Sequence, residues 1–240
     1  MPIRGVLFDV DNTLFDYTAS AESGVVAHLA EQRLLDLFPS PARALALWRQ
    51  IMDEEVARFT AGELTFAEQR RTRTRRFLAH VGSLPPCGLS DDDASAWFAG
   101  YEAHRNAAWA EFPDAEPVLK ALAPTYRLGV VSNSSVGHQR RKLDAIGLLH
   151  YFGDVLVCSD QHGEAKPARS IFHAGCTLLG LAPDEVAYVG DMYAIDAVGA
   201  RDAGLHSYWL DRTGAGANGE AGEGIQVIRS LHELPPALGS

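Results

Sequence analysis

Two aspartates one residue apart, Asp9 and Asp11, close the apolar run Val6-Leu7-Phe8 near the start of a 240-residue chain. Carboxylates in that setting can serve as a nucleophile, as an acid and base, or as ligands for a hard cation. Lone aspartates more often make turns or helix caps, but a strand feeding Asp-x-Asp-x-Thr, ending here at Thr13, is a narrower pattern than two turn residues. Three later segments also end apolar runs in polar groups. Ser132-Asn133 follows Tyr126–Val131 and offers a hydroxyl and amides to an anion's oxygens, although Ser132–Ser135 would equally suit a plain turn. Lys166, before Pro167, is a compact charge able to neutralise a carboxylate and an entering anion, where the plainer role is a solvated lysine. Gly190-Asp191 ends Val186–Val189, and Asp191 can complete an oxygen-ligand site with Asp9, a donor set that suits Mg²⁺. Asp196, one turn further on, can orient a metal-bound water or hold Lys166, unless it simply faces solvent.

Positioning these groups requires strands. The apolar run Val6-Leu7-Phe8 reads as a buried parallel strand, with Asp9 ending it and Asp11 beginning a loop at its carboxyl end, where open α/β sheets place ligands. The pattern then turns helical for about a hundred residues. Val26, Ala30, Leu34 and Leu37 recur at helical spacing, as do Leu45, Trp48, Met52, Val56 and Phe59. A third helix is predicted from about Thr65 to Val81, and a fourth from Ser90-Asp91-Asp92-Asp93, a capping-box-like start, burying Trp97, Phe98 and Tyr101. From about Pro113 strands and helices alternate: a short helix capped by Asp114, strands at Tyr126–Val131, Val155–Cys158, Val186–Val189, Ser207–Leu210 and Ile225–Ile228, and helix stops at Gly147, Gly180 and Gly204. Gly214–Gly224 reads as a surface loop. The expected architecture is α/β, a three-layer Rossmann-like parallel-sheet core at 1–15 and 112–240 with an inserted α-helical cap domain at 16–111.

The net charge of −10 argues against a nucleic-acid binder and implies that a carboxylate-lined site needs a cation to hold an anionic substrate. Cys87, Cys158 and Cys176 lack metal-type spacing and read as free thiols of a reducing compartment. No run approaches membrane-spanning length, and Met1-Pro2-Ile3-Arg4 enters the first strand directly, so a cytoplasmic protein without membrane attachment is expected, as a monomer or homodimer.

Taken in order, Asp9-Val-Asp11-Asn-Thr13, Ser132-Asn133, Lys166-Pro167 and Gly190-Asp191…Asp196 resemble the four motifs of the haloacid dehalogenase-like hydrolases, and the helical insert resembles the cap of that superfamily's phosphatase and dehalogenase branch. The first and fourth motifs are specific, and the second is weak by itself. The resemblance implies that Asp9 attacks phosphorus to form an aspartyl phosphate. Asp11 would then protonate the leaving oxygen and later deprotonate the hydrolytic water. Mg²⁺ would be bound by Asp9, the backbone carbonyl of Asp11, and Asp191. Lys166 and the ion would offset the repulsion between carboxylate and phosphate, and Thr13, Ser132 and Asn133 would position the phosphoryl group.

Within that superfamily, Asp11 favours a phosphoester over a haloacid, since halide departs without an acid and the dehalogenases lack this second aspartate. All three lysines, Lys120, Lys142 and Lys166, lie outside the cap, which disfavours the Schiff-base branch. The expected activity is Mg²⁺-dependent hydrolysis of a small soluble phosphorylated metabolite. The alternatives are a phosphomutase of the same fold, a haloacid dehalogenase, or a non-catalytic regulatory protein carrying a phospho-aspartate. Arg70, Arg71, Arg73, Arg75 and Arg76 form a basic run in an acidic chain. Arg71, Arg75 and Arg76 read as a solvated helix face. Arg70 and Arg73 share a face with Phe66, Phe77 and Val81 and are the candidates to bind an anionic part of the substrate. Phe15 and Tyr17 sit at the entry to the cap.

Overall fold

The computed structural model describes residues 2–85, 88–214 and 221–239. The chain divides into two compact units, residues 1–17 with 109–240, and residues 18–108. The expected limits of the insert were 16 and 111.

In the first unit, strand β1 (Gly5–Phe8) is buried along its whole length. After the helical insert come α5 (Ala115–Leu122), β2 (Arg127–Ser132), α6 (Val136–Ala145), β3 (Leu156–Cys158), the single turn α7 (Ser159–His162), α8 (Arg169–Leu179), β4 (Val186–Gly190), α9 (Val198–Asp202), β5 (His206–Leu210), β6 (Ile225–Ile228) and α10 (Leu234–Leu238). Helices α1 to α4 of the insert are Tyr17–Glu31, Pro41–Thr60, Phe66–His80 and Asp91–Ala107. Among the described residues the six strands form one parallel sheet in the order β3-β2-β1-β4-β5-β6. Chain order reverses on either side of β1, so β2 and β4 flank it and a crevice opens at their carboxyl ends. Both faces of the sheet are apolar: Phe8, Val130 and Val189 pack on one side, Leu7, Val131 and Tyr188 on the other. The Rossmann-like architecture expected from strand–helix alternation is the observed one.

The helix stops fall where the glycines predict. Gly147, Gly180 and Gly204 take positive φ, which a side chain at Cβ would disfavour. Ser90 accepts the Asp93 amide at 3.1 Å and caps α4, while Thr65 and Glu68 form a full capping box on α3. Asp114 departs from expectation. It precedes α5 without capping it. Its carboxylate instead takes both terminal nitrogens of Arg212 at 2.8 and 2.9 Å, the Ser230 hydroxyl at 2.7 Å and the Leu231 amide at 2.9 Å. A bidentate guanidinium outcompetes a single amide for this carboxylate. Arg212 also donates to the Thr13 carbonyl at 2.9 Å, tying the end of the chain to the loop after β1.

The second unit is a bundle whose core joins Val25, Leu29, Trp48, Ile51, Phe77, Phe98 and Tyr101. The arginines read as a solvated face of α3, Arg71, Arg75 and Arg76, stay partly exposed but are paired. Arg71 lies 3.4 Å from Asp91, Arg75 pairs with Asp91 and donates to the Leu89 carbonyl, and Arg76 pairs with Glu54 and with buried Glu55. Acids of α2 and α4 flank α3, so its cations cross to them rather than project into water. Cys158 and Cys176 are buried free thiols, pushed by burial up to about 12 and about 11, and Cys87 lies outside the described residues. No described helix is long and apolar enough to cross a membrane.

Candidate active site

The chain leaves β1 through a tight turn. Asp9 continues the ladder, its amide donating to Val189 at 2.9 Å. The Val10 carbonyl then gathers the amides of Thr13, Leu14 and Phe15, with Asn12 in the left-handed region at φ 58°. The turn sets Asp9 and Asp11 at one strand end with different partners.

Asp9 faces Lys166. The buried ammonium donates to Asp9 Oδ1 at 2.6 Å, to Asp196 Oδ1 at 2.7 Å and to the Tyr188 hydroxyl at 2.8 Å, which uses all three of its protons. Tyr188 donates in turn to Asp196 Oδ1 at 2.9 Å, and the Met192 amide donates to Asp196 Oδ2 at 3.0 Å. Asp196 is therefore fully engaged in holding Lys166. It is buried at 1 % exposure rather than solvent-facing. A π-helical turn, Tyr193–Ala197, swings it back over Gly190, where a Cβ would fall 2.4 Å from its carboxyl carbon. Only glycine fits that position.

Lys166 is placed by a side chain assigned above to the substrate. Asn133 Nδ2 donates to the Lys166 carbonyl at 2.9 Å and its Oδ1 accepts the Lys166 amide at 2.7 Å. The Lys166–Pro167 peptide is cis. The Asn133 amide is spent on this loop, while Ser132 remains at the strand end with its Oγ accepting Gln139 Nε2 at 3.0 Å.

Asp11 has two partners that the sequence did not announce. Gln139 Nε2 donates to its Oδ2 at 3.0 Å and the ammonium of Lys142 contacts its Oδ1. Lys142 is 2 % exposed and lies 4.5 Å from the centre of the Phe15 ring and 6.0 Å from that of Tyr17. Phe15 and Tyr17 thus flank this lysine. Gln139, Lys142, Leu143 and Ile146 share one stripe of α6 at helical spacing, and polar residues on an apolar stripe are the signal that marks them.

The electrostatics are those of crowded acids. Burial raises Asp9 to about 8, against the opposing pull of Lys166, with Asp196 and Asp11 adding to the rise. Burial and then the Asp196 charge raise Asp191 to about 6. Burial opposes the charge of Lys166, but Asp9 and Asp196 outweigh it and hold its pKa above the ordinary value. Carboxylate oxygens of Asp9, Asp191 and Asp196 lie within 4.8 Å of one another. An all-oxygen donor set carrying more negative than positive charge fits a hard divalent cation such as Mg²⁺. The Thr13 hydroxyl, two residues past Asp11, is fully buried without a hydrogen-bond partner.

Arg70 and Arg73 lie in the helical unit. Arg70 makes a bidentate pair with Glu102 at 2.9 and 3.1 Å and stands 4.2 Å over the Phe66 ring, with its side chain 30 % exposed. Arg73 is buried at 6 % exposure, over the rings of Trp48 at 4.8 Å and Phe98 at 5.1 Å.

The site agrees with what the chain resembles. A model of the haloacid dehalogenase-like hydrolase family matches residues 3–204. Human N-acylneuraminate-9-phosphatase is 26 % identical over 99 % of this chain and 94 % of its own length. A glyceraldehyde 3-phosphate phosphatase of Methanopyrus kandleri is 30 % identical over 85 % of this chain and 82 % of its own. Among solved structures, the HAD-hydrolase YfnB of Bacillus subtilis, bound to magnesium, superposes with a TM-score of 0.79 at 23 % identity, covering both chains completely. With its four strand-end motifs inside the matched span, the chain belongs to the haloacid dehalogenase-like hydrolases.

Proposed function

We propose that this protein is a Mg²⁺-dependent phosphatase that hydrolyses a small phosphomonoester through an aspartyl phosphate on Asp9. The observation that carries the reading is the division of labour at the end of β1, where Asp9 rests on Lys166 and Asp11 on Lys142 and Gln139. Two carboxylates held apart by separate cations can take separate roles. Asp9 Oδ1 is oriented by Lys166, which leaves its second oxygen to attack phosphorus in line. Asp11 is positioned to deliver a proton to the leaving oxygen and to take one from the water that cleaves the acyl phosphate. The Thr13 and Ser132 hydroxyls are donors for the phosphoryl oxygens. Asn133 acts by fixing Lys166. Asp9, Asp191 and the Asp11 carbonyl would hold Mg²⁺, which supplies positive charge against the repulsion between nucleophile and phosphate.

The helical insert plays the part of a cap that screens the reaction from water and from bulky substrates. Substrate choice is assigned to it, with Arg70 or Arg73 binding an anionic part of the substrate. Arg70 is the better candidate because its guanidinium keeps solvent exposure. Unchanged KM values for every accepted substrate in both Arg70→Ala and Arg73→Ala would remove this assignment. The phosphatase reading itself is tested with p-nitrophenyl phosphate, with and without Mg²⁺. Turnover that requires Mg²⁺ and vanishes in Asp9→Asn is expected, and no turnover by the unaltered chain would sink it.

A further inference from the structure

The helical unit contains a group of side chains that phosphoryl chemistry does not use. Helices α1 and α4 touch where they cross, since a Cβ on Gly24 would fall 2.6 Å from the Arg105 Cα. One turn along α1, His28 enters the seam against Gly100 of α4, where a Cβ would lie 2.7 Å from its ring. Its edge packs on Trp97 at a centroid distance of 4.4 Å. His28 is 2 % exposed, and neither ring nitrogen has a hydrogen-bond partner. A neutral imidazole always carries one N–H donor and one acceptor, so burying both without partners is costly.

The missing partner is within reach. Glu31 lies three residues along α1 from His28, and His104 lies four residues along α4 from Gly100. His104 Nε2 meets Glu31 Oε2 at 2.9 Å, and the two imidazole centroids are 5.7 Å apart. One ligand atom from each of His28, Glu31 and His104 falls within 4.8 Å of the others. Two ligands about 2.0 Å from a tetrahedral ion stand roughly 3.3 Å apart, so the existing pair need open only slightly. We infer that His28, Glu31 and His104 form a site for a borderline divalent transition metal, Zn²⁺ by preference, separate from the acidic cluster of the α/β unit.

Two imidazoles and one carboxylate select Zn²⁺, Co²⁺ or Ni²⁺ over Mg²⁺, whose affinity is for oxygen. Three protein ligands leave a fourth position for water, on the side where Glu31 and His104 keep 61 % and 32 % exposure. The ion would give His28 its partner and clip α1 to α4.

The test uses the full chain without a histidine tag, stripped of metal and then held in millimolar Mg²⁺ to occupy the acidic cluster. Co²⁺ is titrated while visible absorption is recorded, because a tetrahedral histidine-bound ion absorbs far more strongly than a hydrated or all-oxygen one. One equivalent with intense bands, displaced by Zn²⁺, is expected, and Zn²⁺ should raise Tm. Glu31→Gln, at an exposed position, and His104→Ala, at a half-buried one, should weaken binding at least about tenfold while p-nitrophenyl phosphate hydrolysis is retained. The Asp9→Asn, Asp191→Asn double variant should keep the bands. Absence of bands in Mg²⁺, full binding by His104→Ala, or loss of the bands in the double variant would each overturn the site.

Discussion

Buried charge is handled in opposite ways in the two units. In the α/β unit the carboxylates of Asp9, Asp191 and Asp196 crowd within 4.8 Å, and the Lys166 ammonium bonds two of them, Asp9 and Asp196. In the helical unit Glu55, 1 % exposed, is matched by Arg58 and Arg76, Arg70 by Glu102, and Arg73 by the faces of Trp48 and Phe98. Balanced charge of the second kind fixes how helices cross. Burial, with the neighbouring acids adding to it, raises Asp9 and Asp191, and the cluster would be relieved by an added cation. An excess of one sign in a buried site is a better pointer to ligand chemistry than the number of charges there.

Substitutions should separate the two kinds. Asp9→Asn keeps the shape of the site but removes the proposed nucleophile, and kcat for p-nitrophenyl phosphate should fall about a thousandfold or more with little change in Tm. Lys166→Met should act on both readouts. It leaves Asp9 and Asp196 without their cation, so kcat should drop at least about a hundredfold and the metal-free protein should lose about 3 kcal/mol in urea unfolding. A Lys166→Met protein of normal stability would mean that the acids are not charged together. Lys142→Met and Gln139→Leu release the Asp11 carboxyl from its fixed position. A loss of kcat of about ten- to a hundredfold with KM nearly constant is expected, and a loss confined to KM would refute a positioning role.

Glu55→Ala strikes the balanced region. It takes the buried acid from Arg58 and Arg76, which keep Glu63 and Glu54, and should cost about 1 kcal/mol of stability while kcat stays within about twofold. If catalysis fell as far as stability, the contrast between the units would not hold. The smallest effect expected is a pH trend. Asp9 in the folded protein lies near 8, above its ordinary 3.8, so its contribution to stability is present below that lower value and is lost as pH rises through about 8. Asp191 behaves alike, its contribution being lost between its ordinary 3.8 and about 6. Mg²⁺ displaces these protons, so the rise in Tm it produces should grow from pH 6 to pH 8. A rise that shrinks over that range would contradict the assignment of these acids to the cation.

Strand ends carried most of what the sequence could reveal. Asp9, Lys166 and Asp191 stand out because each follows a hydrophobic run or opens a helix, and burial then leaves their charges few places to go. The sheet was readable for the same reason, since strands covered on both faces are continuous apolar runs. Lys142 and Gln139 lie about 130 residues from Asp11, and their meeting depends on how α6 packs, which periodicity hints at but does not fix. Asn133 was legible as a site residue, whereas its bond to the Lys166 backbone was not, because pairing between loops leaves no local pattern. The arginines of α3 looked solvated for a similar reason: their acids belong to other helices.

Arg212 has a consequence for what counts as the working protein. The match to the family model ends at residue 204, yet the loop after β1 is held from beyond it, by Arg212 on the Thr13 carbonyl, and Arg212 is itself fixed by Asp114, which Ser230 and Leu231 also bond. The last thirty or so residues are thus a brace on the first fifteen. A shortened version cut to the recognisable motifs would keep every strand-end side chain and lose the hold on the turn that carries Asp9 and Asp11.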